Sequence, residues 1–226
     1  MAGTMQEGIR LFRLKRWDLA IAELLQVNTE RYTPEQNIEL AYYLGLCYTK
    51  LERFDDALLY LEQVVTSGAD PLRAFQCRMT LAYIYTITRR SKLAEFELKQ
   101  LLNNGFESAQ IFTTLAYAAF VQNQFDKALE YYQKALELDS HNSTALNGLG
   151  YILADRDIDP RKGLAYCKRA VDQRPQNPAY LDSLGWAYYK NGELIEARNW
   201  LRRAFEADPQ HPDIKQHIRV IIGEIT

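Results

Sequence analysis

Three sets of side chains in this sequence are of types that do chemistry in other proteins. Asp155, Asp157 and Asp159 alternate as the ligands of a calcium loop do. The pattern ends there, because Pro160 stands where such a loop needs glycine for its sharp turn, and Tyr166 stands where its last glutamate belongs. A polar turn fits these residues better, with Asp159 capping a helix and Pro160 at the helix's first position. His141, His211 and His217 lie far from one another, and none has a serine, cysteine or carboxylate at the spacing of a triad or a metalloprotease motif. Cys47, Cys77 and Cys167 are odd in number and widely separated, which argues against both a disulfide framework and a zinc site. Each falls inside a helical phrase and reads as a small buried hydrophobe. There is no glycine-rich phosphate loop. The expectation is therefore no catalytic residues, no metal and no cofactor.

The composition agrees. The chain has 226 residues, 47% of them hydrophobic and 25% charged, with a formal net charge of −2. That supplies ample core and no basic footprint for nucleic acid. No run of 18 apolar residues is present, so no transmembrane segment is expected. The opening MAGTMQEGIRLF shows no charged stretch followed by an apolar one. With three unpaired cysteines this favours the cytoplasm, the periplasm being the alternative if a signal peptide has been removed.

The elements that must position any site are repetitive. Ala20, Ala57, Ala94, Ala128, Gly163 and Ala197 open helical phrases at spacings of 37, 37, 34, 35 and 34. Gly8, Gly45, Ala82, Ala116, Gly150 and Gly185 sit inside the preceding phrases at spacings of 37, 37, 34, 34 and 35. Two independent markers with one period define a repeat. Each repeat holds two amphipathic segments, helix A and helix B, joined by a short polar turn. The small residues belong where helix A crosses its own helix B, since a larger side chain there holds the helices apart. One pair cannot bury both of its faces, so neighbouring pairs stack.

Ser183–Pro209 states the unit most fully, with Leu184, Gly185, Tyr188, Ala197, Leu201, Ala204 and Pro209. Leu44, Gly45, Tyr48 and Ala57 repeat it, as do Leu115, Ala116, Ala128, Tyr132 and Ala135. The pattern resembles the tetratricopeptide repeat, a unit of about 34 residues, and the wording of 145–157 and 179–192 resembles bacterial members. The resemblance implies an all-α, right-handed superhelical solenoid of about six helix-turn-helix units. They lie near 1–34, 38–71, 75–108, 109–142, 143–177 and 178–211, in a single array closed by a capping helix at 212–226. The first unit departs most, with Thr4 and Glu7 at positions where apolar residues are expected. The first two units carry about one extra turn, near 28–34 and 66–71. The Arg89-Arg90-Ser91 turn reads as loose for want of glycine. Pro34, Pro71, Pro175, Pro209 and Pro212 read as punctuation at unit ends, and Pro178 as a helix start. In the last helix, Ile214, Ile218, Ile221, Ile222 and Ile225 form one stripe.

The resemblance also implies that the A helices line a concave face. Their ninth positions read Ile9, Leu46, Tyr83, Tyr117, Tyr151 and Trp186, and Phe12, Phe120 and Tyr189 stand three residues further on. Thr113, Thr114, Asn147, Asp182 and Ser183 are the polar neighbours able to bond a peptide backbone. No unit has lysine at its fifth position, so the family's carboxylate clamp for chaperone tails is missing, and so is the asparagine ladder of its sugar-transferase members. Two readings of the rings compete: that they pack on neighbouring A helices, or that they bind a partner. A run of exposed rings marks an interaction site. The expected function is thus a non-enzymatic protein–protein interaction module that binds a peptide or protein segment in an aromatic-lined groove. The expected contacts are Tyr83, Tyr117, Phe120, Asn147, Tyr151, Asp182, Trp186 and Tyr189. A self-associating scaffold or assembly factor is the alternative, as is a regulatory subunit of an enzyme. The partner is another protein, and the chain itself a monomer or weak homo-oligomer.

Overall fold

The computed structural model describes residues 4–68 and 70–225; the side chains of Ile222, Glu224 and Ile225 lie outside that description, so the isoleucine stripe is followed only to Ile221. All regular structure among the described residues is helical. The order is α1 (Met5–Arg13), α2 (Trp17–Leu24), a 3₁₀ turn (Thr29–Arg31), α3 (Pro34–Lys50), α4 (Phe54–Thr66), α5 (Pro71–Ile87) and α6 (Ser91–Asn103). It continues with α7 (Ala109–Val121), α8 (Phe125–Leu138), α9 (Ser143–Asp155), α10 (Pro160–Gln173), α11 (Pro178–Lys190), α12 (Leu194–Ala207) and α13 (Pro212–Ile225). None of the described helices is long and apolar enough to cross a membrane.

The chain divides into two compact units, residues 1–106 and 107–226. In the first, α1 pairs with α2, α3 with α4 and α5 with α6, and the A helices α1, α3 and α5 contact one another in succession. Leu24, Leu61, Leu81 and Ile84 are fully buried there. Phe12 packs edge-on against Tyr43, so that ring belongs to this core. In the second unit α7 pairs with α8, α9 with α10 and α11 with α12; α7, α9, α11 and α13 follow one another along one side. Ile111, Leu115, Leu146 and Leu181 fill its interior. Ile214 and Ile221 are buried on the inner stripe of α13.

The small residues sit at crossings. A Cβ added to Gly45 lies 2.7 Å from a Leu61 methyl carbon, and one added to Gly185 lies 2.7 Å from Leu201. At Gly150 the obstacle is backbone: the added Cβ falls 2.8 Å from the Gly163 carbonyl oxygen. All three cysteines are buried, and burial pushes each thiol up to about 12.

Each A helix ends in the same way. The amides of Arg16, Arg53, Arg90, Gln124, Ile158 and Glu193 donate to the carbonyls of Leu11, Tyr48, Tyr85, Ala119, Leu153 and Tyr188. The residue before each donor has positive φ: Lys15, Glu52, Arg89, Asn123, Asp157 and Gly192. This is the Schellman closure, six times over. The Arg89 turn is therefore as tightly closed as the others, because the hydrogen bonds depend on backbone conformation and tolerate a non-glycine residue at some strain. The extra length of the early repeats goes elsewhere than expected. Thr33 forms a capping box with Gln36, and Asp70 caps the amide of Leu72, so α3 and α5 begin at Pro34 and Pro71 and run for 17 residues. Those prolines, and Pro212 at the head of α13, open helices; they do not close units. Thr4, which looked out of place in a core pattern, caps α1 by accepting from the Glu7 amide.

Five of the six turns hold a left-handed conformation with a side chain attached, a strain of roughly 1–2 kcal/mol relieved only by glycine. Arg89→Gly is expected to stabilise the protein by about 0.5–1 kcal/mol in urea unfolding, and Gly192→Ala to destabilise it by a similar amount.

A candidate partner-binding cavity in the second unit

The second unit encloses a cavity of about 160 Å³. Helix α7 contributes Tyr117 and Phe120, and α8 contributes Tyr132. Asn147, Gly148, Tyr151 and Ile152 come from α9, and Ala179, Asp182 and Ser183 from α11. His211, Asp213 and His217 close it from the start of α13. The A helices α7, α9 and α11 are neighbours in succession, and residues of all three line this one space.

The ring of Tyr132 reaches this space across a glycine. A Cβ on Gly148 would lie 2.2 Å from the Tyr132 Cζ, so any side chain at that position evicts the ring. Tyr117 and Phe120 stack with centroids 6.4 Å apart, and Phe120 meets Tyr151 edge-on at 5.9 Å. Tyr117 is 47% exposed, so it remains open to solvent. Burial pushes the Tyr151 phenol well above its usual value, and the carboxylates of Asp155, Asp182 and Asp213 push it further. The cavity is thus aromatic in its walls, with the carboxylates of Asp182 and Asp213 among its lining residues.

Its far side is built by a buried pair. Asp182 and His217 are each 6% exposed, and His217 Nδ1 lies 2.9 Å from both carboxylate oxygens of Asp182. The His217 ring stacks on Trp186 at 4.1 Å and 18°. Trp186 Nε1 donates to Asp155 Oδ1 at 2.9 Å, and the Tyr189 ring lies 4.8 Å from that of Trp186. Helix α13 is thereby pinned to α11 and α9.

These contacts sort the residues nominated from sequence. Tyr117, Phe120, Asn147, Tyr151 and Asp182 line this cavity. Asp182 does so with its carboxylate already engaged, and Trp186 is occupied by His217 and Asp155, so both hold α13 in place and neither is a free anchor. Tyr83 is 52% exposed but belongs to the first unit, outside this cavity. The three turn aspartates have separate tasks: Asp155 accepts from Trp186, Asp157 pairs with Lys190, and Asp159 caps α10 by accepting from the Lys162 amide. Sequence reasoning missed the carboxylate partner of His217, which stands one repeat away in the chain. A clue was present, since His217 falls between Ile214 and Ile221 on the apolar stripe of α13.

Residues 113–178 match a tetratricopeptide-repeat family model and residues 159–217 match a second one. Residues 113–217 are thus tetratricopeptide repeats. A repeat-containing protein of Pseudomonas aeruginosa is 35% identical over 95 residues, covering 42% of this chain and 15% of that protein. A probable UDP-N-acetylglucosamine–peptide N-acetylglucosaminyltransferase, SPINDLY of Hordeum vulgare, is 30% identical over 113 residues, 49% of this chain and 12% of that one. The chain therefore spans only a small part of the length of these relatives. Among solved structures, the tetratricopeptide protein YrrB superposes with a TM-score of 0.57 at 20% identity, over 88% of this chain and 96% of its own.

Asp182 and His217 should behave as one energetic element. In a double-mutant cycle of Asp182→Ala and His217→Ala, each single change is expected to cost about 1–3 kcal/mol by leaving a buried polar group unpaired. The coupling energy should be positive and of order 1 kcal/mol or more. Additive single effects in chemical unfolding would show that the two do not form a pair.

Proposed function

We infer that this protein is a non-catalytic binding module whose second unit receives an extended or helical segment of a partner protein across the rings of α7 and α9. The observation that carries the reading is convergence. Tyr117, Phe120, Asn147 and Tyr151 come from two repeats and meet at one cavity, open on the Tyr117 side. Rings of this kind bury large area at low entropic cost, and anchors at interfaces are enriched in them. Asn147 adds to the lining a side-chain amide able to pair with peptide backbone. YrrB, of similar fold, is described as having an unusual peptide-binding site. That description supports a peptide-binding role for this chain as well.

The test is selection of peptides from a random displayed library on the intact protein, followed by calorimetry on wild type and a Tyr117→Ala/Phe120→Ala variant. Removal of the two rings is expected to weaken selected peptides by at least about tenfold, or about 1.4 kcal/mol. The melting temperature should fall by only a few degrees, since Tyr117 is half exposed. Peptides that bind the variant as tightly as wild type would show that the partner surface lies elsewhere.

A further inference from the structure

The cavity of the second unit has a chemistry more specific than its aromatic walls. Asn147 Oδ1 is withdrawn from solvent without a hydrogen-bond partner, and so is His211 Nδ1. Both residues line the cavity. A buried polar atom left unpaired is a cost the fold carries unless something outside it supplies the missing group. The side-chain carbonyl of Asn147 can only accept, so what it lacks is an N–H or O–H donor.

Charge points the same way. Asp213, at the cavity's edge in the first turn of α13, has no lysine, arginine or histidine within ion-pair distance among the described residues. No lysine or arginine is among the lining residues. The rings of Tyr117, Phe120 and Tyr151 present faces or edges to the same space, and ring faces attract cations. A carboxylate or phosphate entering here would meet Asp213 with no cation to offset it. An aliphatic side chain would seal Asn147 Oδ1 in place unpaired.

We propose that this cavity is a recognition pocket for the guanidinium group of an arginine side chain on the partner. The proposal rests on reading the cavity as a partner site and names what enters it. Guanidinium suits it better than ammonium. It is planar and less strongly hydrated, it stacks on rings, and its five donors are enough to serve both an amide carbonyl such as Asn147's and a carboxylate such as Asp213's. The partner's arginine thus supplies the donor and the positive charge that the cavity's own residues leave unmatched.

The experiment titrates N-acetyl-arginine amide into isotope-labelled protein and follows the side-chain amide of Asn147 and the ring signals of Tyr117 and His211 by NMR. Saturable shifts at these three residues are expected. The neutral isostere N-acetyl-citrulline amide should produce none, N-acetyl-lysine amide should bind more weakly, and added salt should weaken the arginine complex. Asp213→Asn, a change at an exposed position, should reduce affinity at least fivefold with the melting temperature unaltered. The absence of saturable shifts at these residues up to about 20 mM, a range accessible to a ligand of this size, would overturn the proposal. So would equal binding of the citrulline amide, or an unchanged affinity in Asp213→Asn. Library-selected peptides that need Tyr117 and Phe120 but show no arginine preference would remove this assignment alone and leave the binding function standing.

Discussion

Everything in this structure depends on how closely two helices of a pair approach each other. At Gly150 and Gly163 the backbones themselves come into contact, with each glycine's absent Cβ leaving room for the other's carbonyl oxygen. At Gly45 and Gly185 the room is taken by Leu61 and Leu201. Overpacking such a contact costs roughly 1–3 kcal/mol, which is a large part of a domain's stability. The close approach fixes the pair as a rigid wedge. Stacked wedges bring their A helices side by side, and only that arrangement brings Tyr117, Asn147 and Asp213, from three different helices, to one space.

The second unit then uses its last helix for two purposes. Ile214 and Ile221 bury their side chains against the preceding helices of the stack. His217, on the same face, reaches past them to Asp182 and Trp186 and makes α13 a wall of the cavity. The sequence pattern of the repeat accounts for the first role. The second arises from residues that the repeat does not specify, which is where function is carried in a solenoid of interchangeable units.

What the sequence revealed follows from which physical effects are local. The helix pairs, the small residues at their crossings and the caps at Asp159 and Pro160 are set by nearby residues and could be read directly. The tight closure at Arg89 was hidden, because a left-handed residue is signalled by glycine and here five of six are lysine, glutamate, arginine, asparagine and aspartate. The start of α3 at Pro34 was obscured because proline both ends and begins helices, and the capping box formed by Thr33 and Gln36 decides between the two. Within the candidate site, the rings of α7 and α9 could be named from their place in the repeat. The engagement of Asp182 and Trp186 could not, since it depends on where α13 docks, and no local pattern encodes that. Gly148 offered an unread clue, as a glycine within a helix that makes way for a neighbour's ring.

The central claim is that the ringed face of α7 and α9 meets the partner. Photo-crosslinking in the native cell tests it most directly, with a benzophenone amino acid placed at Tyr117 in one strain and at Ile195 of α12, which is 77% exposed, in another. The account predicts a discrete crosslinked species from position 117 that disappears when Phe120 is changed to Ala, and none from position 195. The same species from both positions, or from position 195 alone, would contradict it.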